Sequence, residues 1–379
     1  MIERRRFAQL FYMLLRPFDP VLSLILVCLL GYAVLVMGSV SPDRIESQLL
    51  HIAVAVVGMW IVASMPPQRL LSLGPILYIA GVALLVAVHL FGEISKGAQR
   101  WLDIGDLVRV QPSEVMKIAM PLGLAWFFQK REGSIGVIEF LVAGLLLAVP
   151  AALIAKQPDL GTAVLVAAAG AYVIFFAGLS WKLIAPIAVI GALAVGVLAV
   201  QGDQLCQQDR EWPGLKDYQK DRICTLVREK KTDPRGKDFH IIQATITIGS
   251  GGFSGKGWRQ GTQTQLEFLP ERHTDFVFAA LAEEFGFIGA MVLLTLYIAL
   301  LVRGFFIAAT APDLGSRLLA GSMTMIFFTY LFVNIGMVSG ILPVVGIPLP
   351  FVSYGGTALV TLCLGVGILM SVRGHRQER

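Results

Sequence analysis

Long apolar runs alternate with short polar breaks along nearly the whole chain. A membrane-spanning helix needs about 20 mostly apolar residues. Runs of that kind fall at residues 19–39, 48–65, 71–91, 113–129, 136–155, 160–178, 182–201, 276–302, 316–339 and 350–372. Hydrocarbon offers no water, so each span must satisfy its own backbone polar groups. The pattern therefore predicts an all-α, polytopic membrane protein, a bundle of about ten transmembrane helices. Pro150 and Pro186 lie inside two of the runs and predict kinks. The one long polar interruption, residues 202–272, predicts a loop between helices 7 and 8 of a single membrane domain covering residues 1–379.

Composition agrees with this pattern. The chain is 56% hydrophobic and 15% charged, where a soluble domain carries about 25% charged residues. A net charge of +5 fits Lys and Arg used as topology anchors and gives no reason to expect a nucleic acid partner. The run from Val21 to Met37 is long enough to span and lacks a small-residue cleavage pattern, so it reads as a first span. Arg4, Arg5, Arg6, Arg16, Arg69, Lys130, Arg131, Lys182, Arg303, Arg317, Arg373, Arg376 and Arg379 fall on one side of a ten-span chain. The positive-inside rule makes that side cytoplasmic, with both termini on it and the long loop outside.

Some basic residues fall on the outer side: Lys96, Arg100, Arg109, Lys117 and Lys156. Pairing with Glu93, Asp103, Asp106, Glu114 or Asp159 explains any one of them. As a group they suggest an outward-facing anionic site, because Arg forks and Lys point charges suit phosphate and pyrophosphate. Cys206 and Cys224 share the outer loop, where an oxidising compartment permits a disulfide.

The candidate chemistry sits in the polar stretches. In GAQRWLDIGDLVRVQPSEVMK, Gly97 to Lys117, Pro112 suits the first turn of a helix and Glu114 its positive end. Glu114 and Lys117 share a helix face. They form either an ion pair at a capped helix start or the polar lining of a wet cavity. In AKQPDLGTA, Ala155 to Ala163, Asp159 either caps the next helix or joins Lys156 on the rim of that cavity. The run Gly249, Gly251, Gly252, Gly255, Gly257 and Gly261 lacks P-loop spacing. It is either a flexible surface loop or a set of backbone amides for phosphate or sugar. In NIGMVSGILPVVGIPLPFVSYGGTA, Asn334 to Ala358, Pro343, Pro348 and Pro350 break the helix. Irregular backbone near the membrane lines a cavity or is buried in protein, which suits a transporter as readily as an enzyme. Ser353 and its neighbours then open the last span.

Asp275 stands where the long loop re-enters the membrane, in EFLPERHTDFVFAALAEE, Glu267 to Glu284. Ionisable groups at membrane depth are costly and mark functional sites by default. Phe276 to Glu284 is either a separate short helix or the outer part of a long span. At helical spacing Asp275, Ala279, Ala282 and Gly286 share a face that is small apart from the carboxylate, which would let a ligand approach. Asp275 reads as an N-cap, a general base or a ligand of a divalent cation. Glu283 and Glu284 lie off that face and read either as structural or as the mark of where span 8 begins.

Together these blocks resemble the SEDS family (shape, elongation, division and sporulation), in family order over nearly the whole chain. The ERHTDF form and the SYGG-bearing string look more like its elongation branch than its division branch. Residues Val227 to Phe239 depart from the family pattern. The resemblance implies a peptidoglycan glycosyltransferase in the bacterial inner membrane, acting on the extracytoplasmic side. It would polymerise lipid II into β-1,4-linked glycan and release undecaprenyl pyrophosphate. It places the family's essential carboxylate on Asp275, and substrate- or pyrophosphate-binding roles on Arg100, Glu114, Lys117, Lys156, Asp159 and Ser353. Asp275 would then act as general base or as ligand of a divalent cation, Mg2+ or Mn2+. The implied partners are a class B penicillin-binding protein, as transpeptidase, and an elongation complex. A lipid II flippase or a non-catalytic scaffold for that partner are the alternatives. Motif charges concentrated on the outer side favour chemistry there.

Overall fold

The computed structural model describes residues 17–95, 98–104, 108–157, 159–180, 182, 185, 186, 189, 193, 239–266, 268, 269, 271–342 and 344–375. At 93–95, 98–100, 103, 104, 108–110, 160 and 239 it describes the backbone alone. The chain forms two compact units. The first holds residues Met1–Gly178, Leu293–Leu331 and Pro350–Arg379, the second Leu179–Val292 and Phe332–Leu349.

The first unit begins with α1, Pro20–Val40, where Pro20 fits the first helical position and Asp19 caps it by accepting from the Leu22 amide at 2.9 Å. There follow α2, Ile45–Ser64, and α3, Pro67–Phe91. Three short antiparallel strands come next: β1, Glu93–Ser95, β2, Ala98–Ile104, and β3, Val108–Val110. Their backbone register sets Asp103 opposite Arg109. The helices α4, Pro112–Gln129, α5, Val137–Lys156, and α6, Leu160–Phe176, complete the N-terminal part. Pro150 sits inside α5. The long helices α9, Val277–Ala309, and α10, Leu314–Val338, each contribute one part to this unit, and α11, Gly356–Gly374, closes it. Within it α2 packs along α11, and α3 along α4.

Contacts inside the first unit sort the loops by end. At one end the Arg303 guanidinium donates to Asp19 at 2.5 and 3.1 Å, and Arg373 approaches Asp19 at 3.9 Å. Gln68 and Gln129 both donate to Asp313 at 3.3 Å. At the other end Ser47 pairs with Tyr354 at 2.9 Å, and Gln111 donates to Asp159 at 3.3 Å. The loops that the charge pattern assigns to the cytoplasm thus gather opposite those it assigns to the outside.

In the second unit α7, Phe239–Gly251, leads into the Gly-rich run and the single-turn α8, Thr262–Gln265. The unit continues through the ERHTDF turn and the first part of α9, then resumes at the end of α10 and the Pro-containing loop after it.

Seven helices among the described residues are long and apolar enough to cross a membrane. The 18-residue α4 and the 17-residue α6 stand at two further predicted spans. The span predicted at 182–201 lies mostly outside the described residues, as do residues 202–238 with Cys206 and Cys224. Two expectations change. Part of the long loop is the helix α7. The last span starts at Gly356, not at residue 350, because the segment before it is turn backbone. Separately, the region from β1 to β3 is a strand ribbon, because its polar and apolar residues alternate too closely for a helix face.

Candidate functional site

The turn that carries Asp275 is built by Glu271, whose φ of 49° folds the chain back. The amides of Thr274 and Phe276 both donate to the Glu271 carbonyl, at 3.0 and 3.3 Å. The Thr274 hydroxyl donates to Glu271 Oε2 at 3.1 Å within the turn. Phe276 is buried and stacks on His240 of α7 at 6.1 Å. Asp275 itself is half-buried. Its backbone carbonyl accepts from Asn334 Nδ2 at 2.9 Å, and the same amide donates to the Ile347 carbonyl at 2.8 Å. One fully buried Asn therefore ties the Asp275 turn to the loop that follows α10. That loop passes beside the carboxylate, since a Cβ on Gly346 would stand 3.4 Å from Asp275 Oδ2.

Beyond Asp275 the helix is interrupted. Gly286 has φ 65° and ψ −161°, a conformation essentially confined to glycine. Residues 277–285 are thus a separate helical piece, and 287–309 remain long enough to span at 1.5 Å per residue. The Gly-rich run docks on this break. Lys256 and Gly257 amides donate to the carbonyls of Glu283 and Glu284, and Phe287 and Ile288 amides donate back to Gly252 and Phe253. A Cβ on Gly255 would fall 2.2 Å from the Glu284 oxygen. The run is packed backbone, neither a flexible loop nor an array of open amides. The small face also has another use than expected: Ala279 and Ala282 are buried, and Gly251 packs against the Ala282 carbonyl.

Glu283, read from sequence as merely lying off that face, is the hub of this region and is 0% exposed. Its Oε1 accepts from Lys256 Nζ at 2.6 Å and from the Gln263 amide at 2.9 Å. Its Oε2 accepts from the Thr264 amide at 3.0 Å and the Thr264 hydroxyl at 2.7 Å.

The other sequence-predicted residues belong to the first unit. Lys117 Nζ donates to Glu114 Oε1 at 2.6 Å and to the Tyr330 hydroxyl at 2.6 Å, and Thr361 donates to Glu114 Oε2 at 3.0 Å. This buried network joins α4, α10 and α11. Asp159 caps α6 through the Thr162 amide at 3.2 Å and is buried. Lys156 is exposed in the last turn of α5, and Ser353 is buried in the turn before α11. Arg100 lies on β2 by its backbone, and its side chain is outside the described residues.

Among the described residues no three His, Cys, Asp or Glu side chains group to hold a metal. That donor set does not make a resident cage. A single carboxylate such as Asp275 suits Mg2+ that is also held by substrate phosphates.

Sequence reasoning missed Asn334, Tyr330, Thr361 and the Glu283 cluster as parts of a machinery. Asn334 and Tyr330 had one available signal: each is a polar group inside an apolar run.

Comparison with known proteins matches this geometry to a family. The family model described as cell cycle protein, covering FtsW, RodA and SpoVE, matches residues 12–378. The peptidoglycan glycosyltransferase MrdB of Escherichia coli (strain K12) is 50% identical over 363 residues, 95% of this chain and 94% of that protein. Two solved structures share the fold. One, describing structural coordination of polymerization and crosslinking by a peptidoglycan synthase complex, aligns with a TM-score of 0.78 at 30% identity, over 96% of this chain and 99% of that one. The rod shape determining protein RodA of Thermus thermophilus aligns with a TM-score of 0.70 at 27% identity, over 96% and 98%. The chain belongs to the FtsW/RodA/SpoVE family of cell cycle proteins, the SEDS family.

Proposed function

We propose that this membrane protein is a peptidoglycan glycosyltransferase that polymerises lipid II during cell elongation, with Asp275 as its general base. The reading is carried by Asp275: a half-buried carboxylate whose backbone is held by the buried Asn334, in a chain half identical to a named peptidoglycan glycosyltransferase.

A sugar hydroxyl is a poor nucleophile at neutral pH, and a positioned carboxylate removes its proton as it attacks. The acceptor oxygen forms a bond to the donor's anomeric carbon. The bond from that carbon to the pyrophosphate oxygen breaks, and its electron pair leaves as undecaprenyl pyrophosphate. The acceptor proton goes to Asp275. Attack opposite the leaving group turns the donor's α linkage into a β-1,4 bond. Negative charge grows on the pyrophosphate and calls for cations. Lys156, exposed and without an ion pair among the described residues, and Arg100 take that role on chemical grounds. Mg2+ or Mn2+ carried in with the pyrophosphate would be held by Asp275 and would neutralise part of the same charge.

The active side is extracytoplasmic, with both termini cytoplasmic, as the charge pattern predicts. One solved relative belongs to a complex that couples polymerization to crosslinking. For this chain the matching partner is a class B penicillin-binding protein within an elongation complex.

The test is glycan synthesis from purified lipid II by the purified protein. Wild type is expected to make polymer, and Asp275→Ala none while remaining folded and partner-bound. A wild-type protein that only moves lipid II across vesicles, or only binds its partner, would refute the reading.

A further inference from the structure

Hydrogen bonds of the second unit lead from the buried Glu283 carboxylate to the turn that carries the half-buried Asp275. Glu283 is fully buried and takes its closest donors from Lys256, Gln263 and Thr264, with the Ser250 and Thr262 hydroxyls at 3.4 and 3.3 Å. A carboxylate buried this way costs several kcal/mol unless its oxygens are well satisfied, and an apolar side chain would pack the helix as well. What the anion adds is a rigid acceptor that fixes Thr264. Thr264 in turn offers its carbonyl to Arg272, whose NH1 donates at 2.8 Å. Arg272 stands inside the turn that Glu271 closes on Thr274 and Phe276, and that turn presents Asp275.

We propose that Glu283 is a positioning residue for Asp275, acting through Thr264 and Arg272. The proposal rests on the reading of Asp275 as general base and adds how that base is aimed. Lys256 balances the charge of Glu283 from a partly exposed position. Asn334 holds the opposite side of the turn by the Asp275 carbonyl. The turn that presents Asp275 is thereby held at Arg272 and at the Asp275 carbonyl. Misplacing a catalytic group by about 1 Å can cost on the order of a hundredfold in rate.

The test compares Glu283→Gln, Arg272→Gln and the double variant in the full-length protein, with lipid II polymerisation normalised to the monodisperse folded fraction. Each single change is expected to lower kcat about tenfold or more, with KM for lipid II within about twofold of wild type. The double variant is expected within about twofold of the slower single, because both changes cut one chain of contacts. Independent structural damage would instead multiply. Thr264→Val removes one donor to Glu283 at nearly constant volume and reads the same link where Glu283→Gln yields no folded protein. It should slow the reaction, and Thr264→Ser should restore it. Full kcat in Glu283→Gln or Thr264→Val, or multiplying losses in the double variant, overturns the proposal. Asp275→Asn run beside them separates the two readings. If it polymerises, the base assignment fails. If it is dead while Glu283→Gln is fully active, only the positioning role fails.

Discussion

Asp275 and Glu283 lie a short way apart in one stretch of chain, yet their surroundings are opposite. Glu283 is sealed from solvent, and its oxygens accept from an ammonium, two amides and three hydroxyls. Asp275 is half-buried, and the strong hold on it is exerted through its backbone carbonyl. A saturated, buried anion is a fixed part of a scaffold. A carboxylate whose backbone is clamped and whose side chain stays partly open is placed to meet a reactant. Judged from sequence, the two acids differed mainly in which helix face they shared. Their packing partners separate them.

Changes that strike the frame should be the largest. Gly286 sits in a glycine-only conformation, and a Cβ there would lie 2.2 Å from the Gly255 nitrogen. Gly286→Val is expected to cost about 3 kcal/mol or more, from the backbone strain alone plus the clash. Thermal unfolding in detergent reads this directly. Wild-type stability in that variant would mean that the Gly-rich run is not docked as described.

Asn334→Leu comes next. It leaves the carbonyls of Asp275 and Ile347 without their donor, for an expected loss of about 2 kcal/mol. Polymerisation should fall further than the folded fraction, because the Asp275 turn loses one of its two holds. Equal falls would reduce Asn334 to a packing residue.

The smallest effect lies in the first unit, far in sequence from both acids. Burial raises the Asp19 pKa, but hydrogen bonds from Arg303 and the Leu22 amide, with the charges of Arg303 and Arg373, outweigh it and hold the carboxyl below its ordinary 3.8. A folded-state pKa below the unfolded one gives stability that is complete above the unfolded value and lost as pH falls through the folded one. The melting temperature should therefore show no Asp19-dependent slope from neutral pH down to about pH 5, and then fall more steeply in wild type than in Asp19→Asn. Parallel acid limbs in the two proteins would remove Asp19 from this role.

Much of the fold was legible in the sequence because spans announce themselves by length and apolar content. The ends of α1, α3 and α10 fall within a few residues of expectation. The Glu114–Lys117 pair was legible because it is local, at one turn of a helix. Its Tyr330 and Thr361 partners were not, because their meeting depends on how distant helices pack. The Asp275 junction stood out as a charge where the chain turns apolar. What holds it did not, since Asn334, Thr264 and His240 arrive from three separate segments. The Gly-rich run misled for a related reason. Composition indicates that backbone can come close to something, and only the fold shows that the something is the break at Gly286.

The central claim is that the Asp275 carboxylate performs the proton transfer inside a frame that does not depend on it. A single-turnover assay of lipid II coupling by purified Asp275→Asn tests this most directly, because the amide keeps the size of the side chain and loses its basicity together with its negative charge. The account predicts no detectable glycan bond formation, with melting temperature and partner binding equal to wild type. Polymer formed at a measurable fraction of the wild-type rate by that folded variant would contradict it.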